Sequence, residues 1–174
     1  MALTKKTALM NLGASIDLVD GAAFDSNEIT LNLDSLSREI FVVTDIQMES
    51  SSLGFDAALG GTEWLIANCT KTQQTGTISV ADPHCIGRMS QTTIQGGAAN
   101  LGAGAHIHSS TPDEGSTGLG KDHIAVLATP NYFVGGMYAT TTGGGPNISV
   151  AVRITGFRCV ADLATYSALI AEEN

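Results

Sequence analysis

Alternating apolar and polar residues run through most of this chain, and a period of two is the period of a β-strand rather than of a helix. The longest run covers 38–49 and places on one predicted face Ile40, Val42, Thr44, Ile46 and Met48. Phe41 and Val43 make the opposite face half apolar. We therefore expect a layered β protein in which part of that second face is also covered.

Further segments with strand character follow in quick succession, separated by short turn-like stretches. The predicted strands are 28–33, 38–49, 63–72, 75–81, 85–93, 123–128, 132–140 and 147–160, with 75–81 forming a hairpin with 63–72. Asp162 can cap a closing helix whose apolar stripe is formed by Leu163, Tyr166, Leu169 and Ile170. About eight strands without alternating helices predict an all-β fold, a single jelly roll or eight-stranded β-sandwich barrel with a short C-terminal helix.

The chain of 174 residues has the size of one domain. We predict an N-terminal arm over 1–26 and a single β-barrel domain over 27–174. Apolar residues of the arm recur at nearly helical spacing between glycines, at Leu9, Leu12 and Ile16. The arm is expected to pack on the barrel or on a neighbouring molecule. Its apolar stretch is too short and broken for a secretion signal, so secretion by the usual route is not expected.

Charged residues make up only 14% of the chain, well below the ~25% of an average soluble domain. Neutral polar groups lose water at lower cost than ions, and the centres of protein interfaces are depleted in charge. The net charge is −9, and Lys5 and Lys6 form the one basic pair. This balance argues against direct binding of a nucleic-acid backbone and favours a subunit with several protein neighbours.

No arrangement typical of an enzyme was found in the sequence. Cys69, Cys85 and Cys159 lack CxxC spacing and are expected to be reduced, buried thiols. Adjacent residues of a strand face opposite ways, so His84 cannot activate Cys85, and we expect a turn at Asp82 followed by a buried cysteine. We predict that the protein is not an enzyme and needs no cofactor.

One pattern has metal-binding potential. His106 and His108 would point to the same side of a strand, and Glu114 could complete a ligand set. This segment resembles the cupin family, whose small β-barrels carry an HxH motif with a nearby Glu. Five residues separate His108 from Glu114, more than the family usually has, and His123 is the one later histidine. The alternatives are a weak metal site or polar residues in a surface loop.

Two segments are rich in small residues and are predicted loops. They cover 50–61 and 95–121, the second with one short strand near 105–109. Long loops inside a compact domain are usually functional, so we expect these two to form contacts between subunits. Five carboxylates are either solvated, which is the default expectation, or bind calcium between subunits. They are Asp17, Asp20, Asp25, Asp113 and Glu114.

The layout of these segments resembles the single jelly-roll major capsid proteins of tailless icosahedral viruses with an internal membrane, the sphaerolipovirus-like group. The likeness covers 28–170 and rests on REIFVV at 38–43, AVLATP at 125–130, YFV at 132–134 and VRITGFR at 152–158 running into DLATY. It implies upright barrels that form capsomers over a lipid bilayer, together with a second capsid protein. The negative charge argues that any apposition to the membrane is indirect.

Three functions are compatible with these observations. The first is a capsid subunit that self-assembles into a viral shell, made in the host cytoplasm and located in the virion. Its partners would be copies of itself and a second capsid protein, without direct contact to nucleic acid. The second is a non-viral surface-layer or filament subunit, and the third a cupin-like metal-binding barrel. Low charge and long small-residue loops favour the first.

Overall fold

The computed structural model describes residues 3–21, 23–51, 61–95, 107–113, 123–141 and 147–173. Within these ranges the strands are β1 (Leu3–Lys5), β2 (Met10–Leu18), β3 (Asp25–Thr30), β4 (Glu39–Ser50), β5 (Gly61–Thr70), β6 (Cys85–Gln95), β7 (Ile107–Asp113), β8 (Ala125–Leu127), β9 (Asn131–Thr140) and β10 (Ile148–Ala161). One helix, α1 (Leu163–Glu173), follows β10. For β7 only the main chain is described.

The strands form two antiparallel five-stranded sheets. Sheet A has the order β1-β10-β4-β8, with β2 also paired to β10, and sheet B has the order β3-β9-β5-β6-β7. Apart from β1 and β7, eight strands remain, and they pair from the two ends of the chain toward its middle. The first strand pairs with the last and the second with the second last, which gives the pairs β2 with β10, β3 with β9, β4 with β8, and β5 with β6. This nested pairing is a rolled-up hairpin, the jelly roll. The predicted fold class is confirmed.

The core lies between the two sheets and receives the inward residue of each alternating strand. Its largest fully buried side chains from sheet B are Leu65, Tyr132 and Tyr138, and those from sheet A are Phe41, Ile46, Ile148 and Ile154. Burial of each such side chain contributes roughly 1.5–3 kcal/mol. The predicted inward face of 147–160, formed by Ile148, Val150, Val152 and Ile154, is confirmed.

A β-bulge changes which residues of β4 face the core. Asp45 pairs with Thr155 while Val43 pairs with Gly156, so Thr44 is an extra residue in β4. A side-chain period of two is shifted by one at such a residue. The prediction of one uninterrupted face is therefore wrong: before the bulge Phe41 and Val43 enter the core, and after it Ile46 does.

Residues 10–18 form a strand and not the nearly helical segment that their spacing suggested. β2 pairs with β10 from Ile148–Leu18 to Gly156–Met10, and β1 continues along the same edge of β10. The inward residues of β2 recur every second position, at Leu12, Ala14, Ile16 and Leu18. This part of the predicted arm is the edge of sheet A.

The predicted hairpin between 63–72 and 75–81 is wrong. The antiparallel partners of β5 are β9 and β6, with Leu65 opposite Gln91 of β6, and the chain between β5 and β6 forms turns. This connection contacts sheet B at Ile78, whose carbonyl accepts a hydrogen bond from the Asn68 side chain of β5 at 3.1 Å. Thr75 to Ala81 alternates like a strand but occupies this connection.

Helix α1 covers part of the outer face of sheet A. Asp162 caps it, since its carboxylate accepts from the main-chain N–H of Thr165 at 2.8 Å, as the sequence predicted. From the predicted stripe, Tyr166, Leu169 and Ile170 pack on a second apolar cluster of sheet A: Ile40, Val42, Val126, Ala128, Cys159 and Ala161. Leu163 is exposed. In the described part of the chain, no helix has the length and apolar character needed to cross a bilayer.

Candidate functional site

The predicted metal site lies largely outside the described part of the chain. His106 and Glu114 are not among the described residues, and the side chains of His108 and Asp113 are not described either. The strand expected near 105–109 is present as β7. Among the described residues, no group of three or more His, Cys, Asp or Glu side chains could hold a metal ion. The cupin-like site stays a prediction.

The other aspartates considered as calcium ligands lie at separate positions in the fold and have different contacts. Asp20 accepts from the main-chain N–H and the hydroxyl of Thr140 at 2.7 and 2.8 Å, which ties the end of β2 to β9. Asp25 accepts from the N–H of Ser26 at 2.8 Å. Asp17 is exposed on β2. Two of these three carboxylates therefore have structural roles.

The predicted turn before Cys85 is present. Asp82 accepts from the main-chain N–H of His84 through its carboxylate and from that of Cys85 through its carbonyl, both at 2.9 Å. All three cysteines are reduced thiols, Cys69 and Cys159 being buried and Cys85 half-buried. Burial raises the pKa of Cys69 and of Cys159, which disfavours the thiolate that a nucleophile requires.

A buried carboxylate joins the N-terminal segment to sheet A. Glu39, 4% exposed, accepts from Lys6 Nζ and, at 3.1 Å, from the main-chain N–H of Asp34, with Arg158 Nη1 at 3.8 Å. The bond from Lys6 chiefly, and that from Asp34, hold the pKa of Glu39 below its ordinary value. Arg158 also donates to the carbonyl of Leu31 at 2.9 Å. This network is structural: it fastens β1, β4 and β10 together.

A second buried carboxyl group lies inside the sandwich. Glu63, 2% exposed, accepts from the Tyr138 hydroxyl at 3.2 Å, and its Oε2 atom has no hydrogen-bond partner in the described structure. Burial raises the pKa of Glu63, and the negative charge of Asp20 adds to that effect. The pKa of Tyr138 is raised by burial and by Glu63. The protonated form of Glu63 is therefore the one that this position favours.

The centre of the outer face of sheet B carries uncharged side chains, several of them apolar, between Glu28 on β3 and Arg88 on β6. Along β9, β5 and β6, cross-strand neighbours bring together Ala139, Trp64 and Thr92 in one row and Met137, Ile66 and Ser90 in the next, and Ile94 follows on β6. We call these seven residues the sheet-B face. They are half-buried, apart from Ile94, which is 42% exposed. The outer face of a sandwich sheet is normally polar, so this face is suited to packing against another protein surface.

The outer face of sheet A is divided into two halves. Helix α1 covers one half, and the other half carries the outward residues of β2, β10 and β4: Asn11, Gly13, Ser15, Asp17, Ser149, Ala151, Arg153, Thr155, Asp45, Gln47 and Glu49. Arg153 donates to Gln47 and Thr155 to Asn11 across the strands. A shallow depression of about 410 Å³ lies over Gly13 and Ala151. This half is built mainly of short side chains.

A rigid turn presents one apolar side chain to solvent. Asp34 accepts from the main-chain N–H groups of Leu36 and Ser37 at 3.0 and 3.3 Å, and from the Ser37 hydroxyl at 2.5 Å. These bonds lower the pKa of Asp34. At the tip of the turn, Leu36 is 94% exposed. Because these bonds hold the main chain of the turn, Leu36 loses little backbone entropy on contact with a partner.

Neither the sheet-B face nor Leu36 belongs to the loops that the sequence predicted as contact regions. Those loops, 50–61 and 95–121, lie mostly outside the described residues. The signal for the sheet-B face was present in β5, where Trp64 and Ile66 are apolar on one side and Leu65 and Ala67 on the other. Apolar residues on both sides of a strand indicate that both of its faces are covered.

No protein-family model matches the sequence, and no curated protein matches it. Among solved structures, the chain is similar to the Merkel cell polyomavirus VP1 unassembled pentamer (TM-score 0.41, 7% identity, 93% of this chain and 100% of that chain). The empty head of turnip yellow mosaic virus matches with a TM-score of 0.31 and 10% identity, over 93% of this chain and 88% of that chain. A second structure of that virus matches with a TM-score of 0.25 and 8% identity, over 91% of this chain and 99% of that chain. At such values no residue role can be transferred, and function is inferred from this chain's own residues.

Proposed function

We propose that the protein is a structural subunit of a viral capsid that assembles with copies of itself into a shell. The observation that carries the proposal is the sheet-B face on a jelly-roll barrel. Jelly rolls serve in capsids, in lectins and in cupins, so the fold alone does not choose among them. A neutral, partly apolar outer face favours the first, because it gains free energy when a protein neighbour covers it.

The composition of the whole chain supports the same reading. With charged residues at 14%, much of its surface consists of groups that can be desolvated without separating ions from water. Leu36, at the tip of its turn, adds an exposed apolar side chain that a neighbouring molecule can bury. The partners proposed are copies of the same chain, and the proposed location is the virion.

Narrower statements rest on the sequence layout alone. These are the sphaerolipovirus-like group, a second capsid protein, icosahedral geometry, production in the host cytoplasm and indirect apposition to an internal membrane. The sheet-B face supports none of these in particular, because it specifies a protein contact and not its symmetry or its lipid surroundings. They are part of the proposal as expectations of the resemblance.

The test is the assembly state of the purified protein. Native mass spectrometry and negative-stain electron microscopy over a range of concentrations should show oligomers and closed particles. Sheets or fibres would overturn the capsid proposal in favour of a layer or filament subunit. A protein that stays monomeric throughout would overturn self-assembly, and stoichiometric Zn, Fe, Mn or Ni in that monomer would favour the cupin-like alternative.

A matched pair of variants tests the sheet-B face. Ile94→Lys places a charge at the most exposed residue of the face and should abolish particles, because an unpaired ammonium resists burial in an interface. Gln73→Lys makes the same addition at an exposed turn between β5 and β6 and should assemble normally. Equal assembly of the two variants would exclude the sheet-B face from the contacts.

A further inference from the structure

The four edges of the two sheets differ in how they are protected against pairing with another chain. Unpaired strand edges attract other strands, and proteins block them with short strands, charges or proline. In the described structure β8 has only three residues, β3 carries Asp25 and Glu28, and β7 contains Pro112. The remaining edge is shared by β1 and β2. Strand β1 ends at Lys5 and is followed by Lys6.

Strand β2 is less protected than the other edges. It is nine residues long, contains no Lys, Arg or Pro, and has one charged residue, Asp17, near its end. Among the described strands, β10 is its one sheet partner. The Asn27 side chain donates to the carbonyl of Ser15 from an exposed position at 3.4 Å, a long bond. β2 is therefore an edge on which a further strand can pair.

The bond from Asn27 also indicates which main-chain groups face outward. Asn27 lies on β3, not on β10, so the Ser15 carbonyl points away from β10. The N–H and C=O of a residue in an antiparallel strand point to the same side, and the side alternates along the strand. The residues whose main-chain groups face the open edge are then Asn11, Gly13, Ser15 and Asp17.

We propose that β2 pairs with β2 of a second copy of this chain, antiparallel about a twofold axis at Ala14. This inference rests on the proposed function, because it takes the partner to be another subunit. In this register all nine residues overlap, and Gly13 faces Ser15 of the second copy. The two copies of sheet A join into one continuous sheet. Each copy contributes the same strand, so the contact is isologous.

The register is complementary in charge and shape. Asp17 meets Asn11 of the second copy and not another acid, which matters between copies with a net charge of −9 each. The Asn11 side chain accepts from Thr155 through its oxygen, which leaves its N–H groups for that carboxylate. On the inner side, Leu12 meets Ile16, and both are apolar. An unrelated extended peptide would not share this self-complementarity.

A pair of double variants tests the edge. Gly13→Lys/Ser15→Lys places like charges opposite each other in the proposed pair, and a Cβ at Gly13 meets nothing within 4 Å, so the fold is retained. The matched control, Gln73→Lys/Thr75→Lys, adds the same charge at two exposed positions of a turn. The edge variant should raise the dissociation constant of the dimer at least about tenfold, and the control less than about twofold.

Cross-linking tests the register itself. At the twofold axis Ala14 faces Ala14 of the second copy as a non-hydrogen-bonded pair, the closer kind, whose Cα atoms are about 4.5 Å apart, within the range that a disulfide spans. Ala14→Cys, in a Cys85→Ser background, should therefore give a reducible dimer on mild oxidation. If particles form but the edge variant associates as tightly as wild type, or no cross-link forms, the β2 proposal is wrong and the proposed function stands. If wild type is always monomeric, both fail.

Discussion

At the scale of single residues, Glu39 and Glu63 should respond to pH in opposite directions. The folded-state pKa of Glu39 is lowered from 4.5, so its stabilising contribution is present above that value and is lost as the pH falls through the folded pKa. Glu39→Gln should cost about 1–2 kcal/mol at pH 7, since it weakens charge-assisted bonds, one of them to the half-exposed Lys6. Urea unfolding at pH 7 and pH 4 checks this: the cost should shrink at pH 4, and an equal cost at both would contradict it.

The contribution of Glu63 to stability changes with pH in the opposite direction to that of Glu39. Its folded-state pKa is raised from 4.5 by burial, so the folded state binds more protons than the unfolded state above that value. The stabilising effect of protonation is present at low pH and is lost as the pH rises through the folded pKa. Glu63→Gln, which keeps an acceptor for Tyr138, should be more stable relative to wild type at pH 8 than at pH 4. The same urea series measures it, and a pH-independent difference would be evidence against a raised pKa.

Gly156, beside the bulge of β4, should tolerate no side chain. A Cβ built there lies 2.2 Å from the carbonyl oxygen of Val42 and 2.7 Å from the Phe41 ring, atoms that cannot move without opening sheet A. Gly156→Ala should lower the free energy of unfolding by about 1–3 kcal/mol, the usual range when extra atoms are forced into a packed core. The control is Gly13→Ala, where nothing lies within 4 Å and the change should stay within about 1 kcal/mol. Equal effects in thermal unfolding would contradict the steric explanation.

At the scale of elements, the end of α1 is fastened by an acidic side chain, although the helix dipole disfavours an acid at that end. Glu173, 3% exposed, accepts from the N–H groups of Ala128 and Thr129 at 2.9 and 2.8 Å. Glu173→Ala should cost about 2–3 kcal/mol and speed amide exchange at these two residues. Glu172→Ala removes an ion pair, 3.4 Å long, with the buried Lys71 and should leave amide exchange at Ala128 and Thr129 unchanged. Unchanged exchange in Glu173→Ala would show that α1 is held by its apolar contacts alone.

The elements that the sequence predicted well are those whose local pattern and tertiary position agree. The runs at 132–140 and 147–160 and the cap at Asp162 needed no long-range information. The bulge at Thr44 could not be predicted, because it is set by the pairing of β4 with β10, about 110 residues away. Residues 75–81 have strand character but no strand beside them. Pairing, and not propensity, decided these cases.

The candidate surfaces were harder to predict than the fold. Alternation shows which residues of a strand share a face, but not which of the two faces is inside. The apolar residues on both sides of 38–43 correctly indicated that both faces are covered, since Phe41 and Val43 lie in the core and α1 packs over Ile40 and Val42. The sheet-B face becomes visible only when β9, β5 and β6 lie side by side, since it combines residues from 64 to 139.

At the scale of the whole molecule, assembly through neutral surfaces should be strengthened by salt. Each copy carries a net charge of −9, so identical subunits repel one another at long range, while the sheet-B face and the β2 edge hold few charges to form ion pairs between copies. The Debye length falls from roughly 20 Å at about 20 mM salt to under 5 Å at about 500 mM, which screens the repulsion and leaves apolar contacts intact.

The concentration at which light scattering first reports particles should therefore fall, by about tenfold, between about 20 and about 500 mM NaCl at pH 7. Sodium sulfate at equal ionic strength should act more strongly, because it also favours the burial of apolar surface. Dissociation of particles by added salt would mean that ion pairs hold the subunits together. In that case the few charged residues of this chain, and not its neutral faces, would have to form the contacts between copies.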